Sequence, residues 1–157
     1  METGRAEVSG DGLLNLLGNQ RKSEEFARIE NTLGEKGRIS QHHGRRFVSF
    51  KKAKLLFGFD PDDVLDTLFF QENCAISLPK GLCNSHSRSQ VRMLLGEPAF
   101  SREKQEFVGA MGPGGAFDFP DVTLTIDFSR DESAIVSVCC MTAASAPGRA
   151  ERQKVTQ

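Results

Sequence analysis

Two stretches of this chain alternate apolar and polar residues in step with each other. Phe50, Ala53, Leu55, Phe57 and Phe59 fall opposite Phe119, Val122, Leu124, Ile126 and Phe128 at one constant offset. After one inserted residue, LDTLFFQ (65–71) falls opposite IVSVCCM (135–141). A period of two puts each apolar set on one face of a strand. DPDD (60–63) and SRDES (129–133) supply the turns, with Pro61 in a favoured position and Asp side chains that bond their own backbone. A lone hairpin is barely stable, so the two must share a sheet or a core. The sequence therefore predicts an α+β fold: a tandem repeat of helix followed by antiparallel β-hairpin or meander, the two halves sharing one sheet or core.

The helices come from period and capping. Leu13, Leu14, Leu16 and Leu17 form one, opened by Asp11 or Gly12 and closed by Gly18. Ser23, Glu24 and Glu25 open a second, whose Phe26, Ile29 and Leu33 make an apolar stripe that ends at Gly34 or Gly37. Ser87 caps a third, holding Val91, Leu94 and Leu95 and ending at Gly96 and Pro98. Two Leu-Leu-Gly ends thus precede two hairpins, so Leu16 and Leu94 are expected to be buried alike. A strand is expected over 51–59, with a short one at RRFVSF (45–50) before it. SREKQEF is a further helix or an extended arm, LPKGL (78–82) a loop, and GAMGPGGA (109–116) the most flexible stretch. Residues 1–10 read as a disordered start, 11–76 and 77–142 as the two repeats, and 143–157 as a disordered tail.

With 38% hydrophobic and 26% charged residues in 157, the chain has the composition of an ordinary globular protein. Its net charge of −1 points to neither nucleic acid nor membrane. The first residues hold no apolar run for a signal peptide, and no stretch is long enough to span a membrane, so a cytoplasmic location is expected. The four cysteines include no C-x-x-C and read as thiols that pack like small hydrophobes. Trp and Tyr are absent, so a partner surface must lean on charge, Arg and backbone.

Groups able to do chemistry are sparse. His42 and His43 stand far from His86 and have no carboxylate at ligand spacing, so they read as surface-loop residues. The acids around DPDD lack the Gly and Glu of a calcium loop; Leu65 and Gln71 stand there instead. Cys83 and His86 share a loop without a third, orienting group. GPGG is followed by no Lys-Ser or Lys-Thr and is no phosphate loop. No catalytic residue, metal or cofactor is expected.

SRSQVRMLLGEP (87–98), a capped helix ending in Leu-Leu-Gly-Glu-Pro before strands that finish in a hydrophobic pair, resembles the SmpA/BamE and β-lactamase-inhibitor-like group. The whole order over residues 13–141 is similar to small cytoplasmic immunity proteins of polymorphic-toxin and type VI secretion systems. That resemblance implies a protein that neutralises a cognate toxin by occluding its active site. The contact residues it suggests are the acidic turn Asp60, Asp62, Asp63, Asp66 and Glu72, together with Met111 and Phe117 near the glycine-rich loop. A small-molecule substrate and a membrane are not expected among its partners. Two alternatives stand beside it. One is nucleic-acid binding through the basic 45–54 stretch, with Phe47 and Phe50 as stacking platforms; the other is a BamE-like assembly role.

Overall fold

In the computed structural model, which describes residues 8–104 and 112–155, both alternating stretches become interior strands of one sheet. The elements are α1 (Gly10–Leu14), α2 (Ser23–Leu33), β1 (Arg38–His42), β2 (Arg45–Phe50), β3 (Leu55–Phe59), β4 (Leu65–Phe70), a 3-10 turn (Pro79–Gly81), α3 (Arg88–Leu95), β5 (Phe100–Arg102), β6 (Gly114–Asp118), β7 (Val122–Phe128), β8 (Ile135–Thr142) and α4 (Arg149–Val155). All strand pairs are antiparallel. Eight strands run in the order β1-β2-β3-β4-β8-β7-β6-β5. The fold is thus α+β, with a single antiparallel sheet. The seam between its halves is β4 against β8, where Leu68 faces Cys140 and Phe70 faces Val138.

Strand register lines the core residues up in rows. One row runs Phe50, Leu55, Phe70, Val138, Ile126; the next runs Val48, Phe57, Leu68, Cys140, Leu124, Phe117. Every one of these side chains is at most 4% exposed. They share the core with Leu13 of α1, Phe26 and Ile29 of α2 and Val91 of α3. Phe26 packs its ring 5.2 Å from Phe57 and 5.4 Å from Phe59, at edge-on and tilted angles that aromatic pairs favour. Spacing explains α3: Val91 and Leu95, four residues apart, face the sheet, which turns Met93 and Leu94 outward at 87% and 48% exposure. Leu16 is half-buried beyond the end of α1. The expected equivalence of Leu16 and Leu94 is therefore corrected.

Caps and turns follow local chemistry where the signals were strong. The Ser87 side chain accepts from the Gln90 N–H while the Gln90 side chain accepts from the Ser87 N–H, a complete capping box. Gly34 ends α2 in the left-handed region at φ 66°, where a side chain is disfavoured. Between β1 and β2 the two turn residues His43 and Gly44 both have positive φ, as a tight two-residue hairpin requires.

Several expectations are overturned. Lys51–Lys54 is a turn rather than the start of a strand, because the Glu35 carboxylate accepts the N–H groups of Lys52 and Ala53. β1 carries no sequence signal of its own, since all five of its residues are exposed. Gly114, Gly115 and Ala116 are not a flexible loop but part of β6. A Cβ on Gly114 would come within 2.9 Å of both Arg102 and Asp127, so glycine lets these two side chains meet across the strand. The expected disordered tail holds α4, with Ala146 and Arg149 buried. Of the expected disordered start, residues 1–7 lie outside the described residues, while Ser9 caps α1.

Candidate functional site

A strand with one buried face has a second face to account for. By register, the residues between the core rows stand on the outer side of the sheet: Leu56, Phe69, Cys139 and Thr125 form one row, and Phe47, Gly58, Thr67, Met141 and Thr123 the next. Phe47, Leu56, Phe69, Cys139 and Met141 are only half-buried, and Thr125 is exposed. Farther along the first row, Phe100 of β5 pairs with Ala116 and is 57% exposed. The helices α1, α2 and α3 contribute to the core on the opposite side. The result is an apolar strip across the middle of the sheet.

Gly58 sets the local shape. A Cβ there would meet Thr67 at 3.0 Å, the Arg45 guanidinium at 3.2 Å and the Phe47 ring at 3.3 Å. Without it, Phe47 lies across β3 with Arg45 5.4 Å over its ring, a cation–π contact at the rim of the strip. Arg45 also makes a two-pronged bond to Asp66, at 2.9 and 2.6 Å. Thr67 and Ser145 donate their hydroxyls to the same carboxylate. This is how Asp66, 3% exposed, is accommodated where β4 slips its register against β3.

The thiols behave as apolar groups. Burial, with Asp127 nearby, pushes the Cys139 thiol up to about 11, and burial raises Cys140 and Cys74 as well. At neutral pH they stay protonated and are poor nucleophiles.

The far corner of the face is closed by α4. Arg149 donates to the carbonyls of Val122 and Pro120 and to the Thr123 hydroxyl, and Arg152 forms a two-pronged pair with Asp118, which also accepts from Thr123. The Arg152 bond holds the Asp118 carboxyl below its ordinary value of 3.8. A lowered native pKa stabilises the docked helix above that ordinary value and is lost as pH falls through the native one. Acidification through the ordinary carboxylate value of 3.8 and below it is thus expected to loosen α4. Amide exchange at residues 149–155 checks this; exchange there that stays unchanged to low pH refutes it.

The expected contact residues scatter. Asp60 folds its own turn, accepting from the N–H groups of Asp62 and Val64. Asp63 pairs with Arg21 and Arg46. Asp66 and Phe117 are buried and so are not surface groups, which corrects their place in a contact patch. Asp62 and Glu72 are exposed, and Met111 lies outside the described residues. The basic stretch is also not an open platform: Arg45 and Arg46 are ion-paired and Phe50 is in the core. His42 and His43 sit at the β1–β2 turn, while His86 accepts the Cys83 N–H through Nδ1. Among the described residues no cluster of three or more His, Cys, Asp or Glu is gathered for a metal ion, and no helix is long and apolar enough to cross a membrane. The sequence reading missed the outer strip because its residues are the second apolar set of strands that read as one-sided. Leu56, Phe69 and Cys139 interrupting the polar positions were the available signal.

No known protein family matches the chain, and no curated protein sequence is similar to it. Solved structures do share its fold. One is an extracellular protein containing a SCP domain from Bacillus anthracis str. Ames, with a TM-score of 0.59 and 15% identity over 98% of this chain and 52% of that one. Another is a cysteine-rich secretory protein from Staphylococcus aureus subsp. aureus Mu50, with a TM-score of 0.58 and 9% identity over 88% of this chain and 49% of that one. These neighbours overturn the resemblance to immunity and BamE-like proteins and the toxin neutralisation it implied, and they lend no support to nucleic-acid binding or an assembly role. They likewise overturn the cytoplasmic expectation, being described as extracellular and secretory. The chain spans about half the length of these proteins, and the likeness is one of fold.

Proposed function

We propose that this chain is a non-catalytic protein-binding module that offers the outer face of its sheet to the apolar surface of a partner protein. The observation that carries the reading is the strip Phe47, Leu56, Phe69, Cys139 and Met141, half-buried on the side away from the core. A contiguous apolar patch with a polar rim is how soluble proteins mark interaction sites. Here the rim is ionic: Arg45 with Asp66 on one side, Arg152 with Asp118 and Arg102 with Asp127 on the other. In the two solved structures of like fold the matched part is about half of the chain, so there this fold stands beside a comparable length of other protein.

The test uses Leu56→Lys and Phe69→Lys. Both side chains are partly exposed, so the folded state should tolerate a lysine that snorkels to water. A partner identified by cross-linking to the wild type is expected to bind each variant at least about tenfold more weakly, as for a residue near the centre of an interface. Amide-exchange protection should fall on β3, β4 and β8. Undiminished binding by both variants, or protection confined to the helices, rejects the outer face as the site.

We infer further that the two halves are copies of one unit. The constant offset that aligns the apolar residues also brings β2 onto β6 and β3 onto β7, and one inserted residue brings β4 onto β8. The strand order reads the same from either edge toward the β4–β8 seam. In this reading the counterpart of α3 is α2, with Ile29 and Val91 as the matching buried residues.

A further inference from the structure

We propose that the chain pairs with a second copy of itself through β1, joining two sheets edge to edge. The two-residue turn at His43 and Gly44 makes His42 and Arg45 the flanking pair of the hairpin. In an antiparallel ladder hydrogen-bonded and non-bonded pairs alternate, so His42, Ser40 and Arg38 spend their backbone groups on β2. Ile39 and Gln41 therefore turn their N–H and C=O groups away from the sheet. Among the described residues no other backbone group occupies them. β1 ends the sheet, and all five of its residues are exposed.

That edge is complementary to itself. Outward-facing residues must meet outward-facing residues, and an antiparallel pairing centred on Ser40 satisfies this: Ile39 meets Gln41 of the second copy, and Gln41 meets its Ile39. Each such pair exchanges two N–H···O bonds. Ile39 is 57% exposed and stands on the core side of the sheet, opposite Val48. In the paired edge the two Ile39 side chains become diagonal neighbours, about 7–8 Å apart, across the symmetry axis. Arg38 and His42 come opposite one another on the outer side, where solvent screens them. Natural sheets blunt an edge with lysine, proline, a bulge or a very short strand. The other edge, β5, has three residues, whereas β1 carries only Arg38 as a charged guard. With a net charge of −1, two copies repel each other little. A two-fold axis normal to the sheet leaves both outer faces on the same side, so the pair presents two apolar strips in one plane.

Sedimentation of the purified chain over a range of concentrations tests this, with Ile39→Lys, Gln41→Pro and Phe69→Lys as variants. Proline at position 41 deletes only an N–H that points away from β2, a place where edge strands tolerate it. The wild type is expected to sediment as a concentration-dependent dimer, with the Ile39 and Gln41 amides gaining exchange protection as it forms. Ile39→Lys and Gln41→Pro should weaken the dimer at least about tenfold while leaving the melting temperature unchanged at concentrations low enough that all forms are monomeric. Should Gln41→Pro misfold, Ile39→Lys and the exchange data still decide. A wild type that stays monomeric at high micromolar concentration overturns the proposal. A dimer that Ile39→Lys leaves intact and Phe69→Lys dissolves also overturns it, and assigns the contact to the outer face instead. The edge and face variants change different residues, so loss of one reading leaves the other standing.

Discussion

Replacing Phe57 with alanine is expected to lower the unfolding free energy by about 3–5 kcal/mol. Phe57 is fully buried in the central core row, between Val48 and Leu68, and its ring meets Phe26 at 5.2 Å and Phe50 at 5.7 Å. Truncation removes its transfer energy and leaves a cavity walled by α2 and by two strand neighbours that cannot close in without breaking ladder bonds. Against a total stability of roughly 5–15 kcal/mol, the loss is large. The control is Phe69→Ala, one residue along the outer strip from the core row, where the half-exposed ring should contribute far less. Urea midpoints for the two variants give the comparison. A Phe57→Ala cost below about 1 kcal/mol, or one no larger than that of Phe69→Ala, would mean that the two faces have been exchanged.

The second large effect concerns a charge rather than a void. Arg45→Leu takes the guanidinium from Asp66, whose side chain is 5% exposed, and leaves the carboxylate with only the hydroxyls of Thr67 and Ser145. Breaking a buried pair from one side typically costs about 3–5 kcal/mol. Because Arg45 itself is 33% exposed, water reaches part of the vacated space and the lower end of that range is expected here. Adding Asp66→Leu should restore much of the loss, since the isolated charge, not the missing attraction, dominates the penalty. Urea denaturation of the two single variants and the double one closes the cycle. A single variant no less stable than the double would show that Asp66 is not isolated by the loss of Arg45. The experiment also bears on the outer strip: Arg45 lies over Phe47, so its removal should loosen the ring at the edge of the face.

What was legible beforehand was local. The alternation in 51–59 and 122–128 marks two strands, and the turns at DPDD and SRDES mark the return strands that follow each of them. Ser87 announces the start of α3. Such signals need only neighbours within a few residues, and the structure keeps them, with the first strand cut back to Leu55–Phe59. The elements that were missed lack a local signature. β1 exposes every residue. Gly114 and Gly115 read as slack until Arg102 and Asp127 are seen to need the room above the strand. The tail reads as polar and disordered until its Arg149 is found with three backbone and hydroxyl acceptors on residues 120–123. The acids of the 60–66 turn looked like a charged surface because their partners, Arg21, Arg45 and Arg46, lie 17 to 42 residues away. The absence of Trp and Tyr suggested a partner surface without aromatic rings, yet Phe47, Phe69 and Phe100 stand on the outer face.

By itself, then, the order of residues determined which segments extend, where they turn and which face of each strand must leave water, because backbone geometry converts a period of two directly into sidedness. Tertiary structure alone decided the order of the strands, which of them became edges, which acids were neutralised and what was left on the second face. Those outcomes depend on groups far apart in the chain meeting at a few ångströms, and no short-range pattern encodes who the neighbour will be.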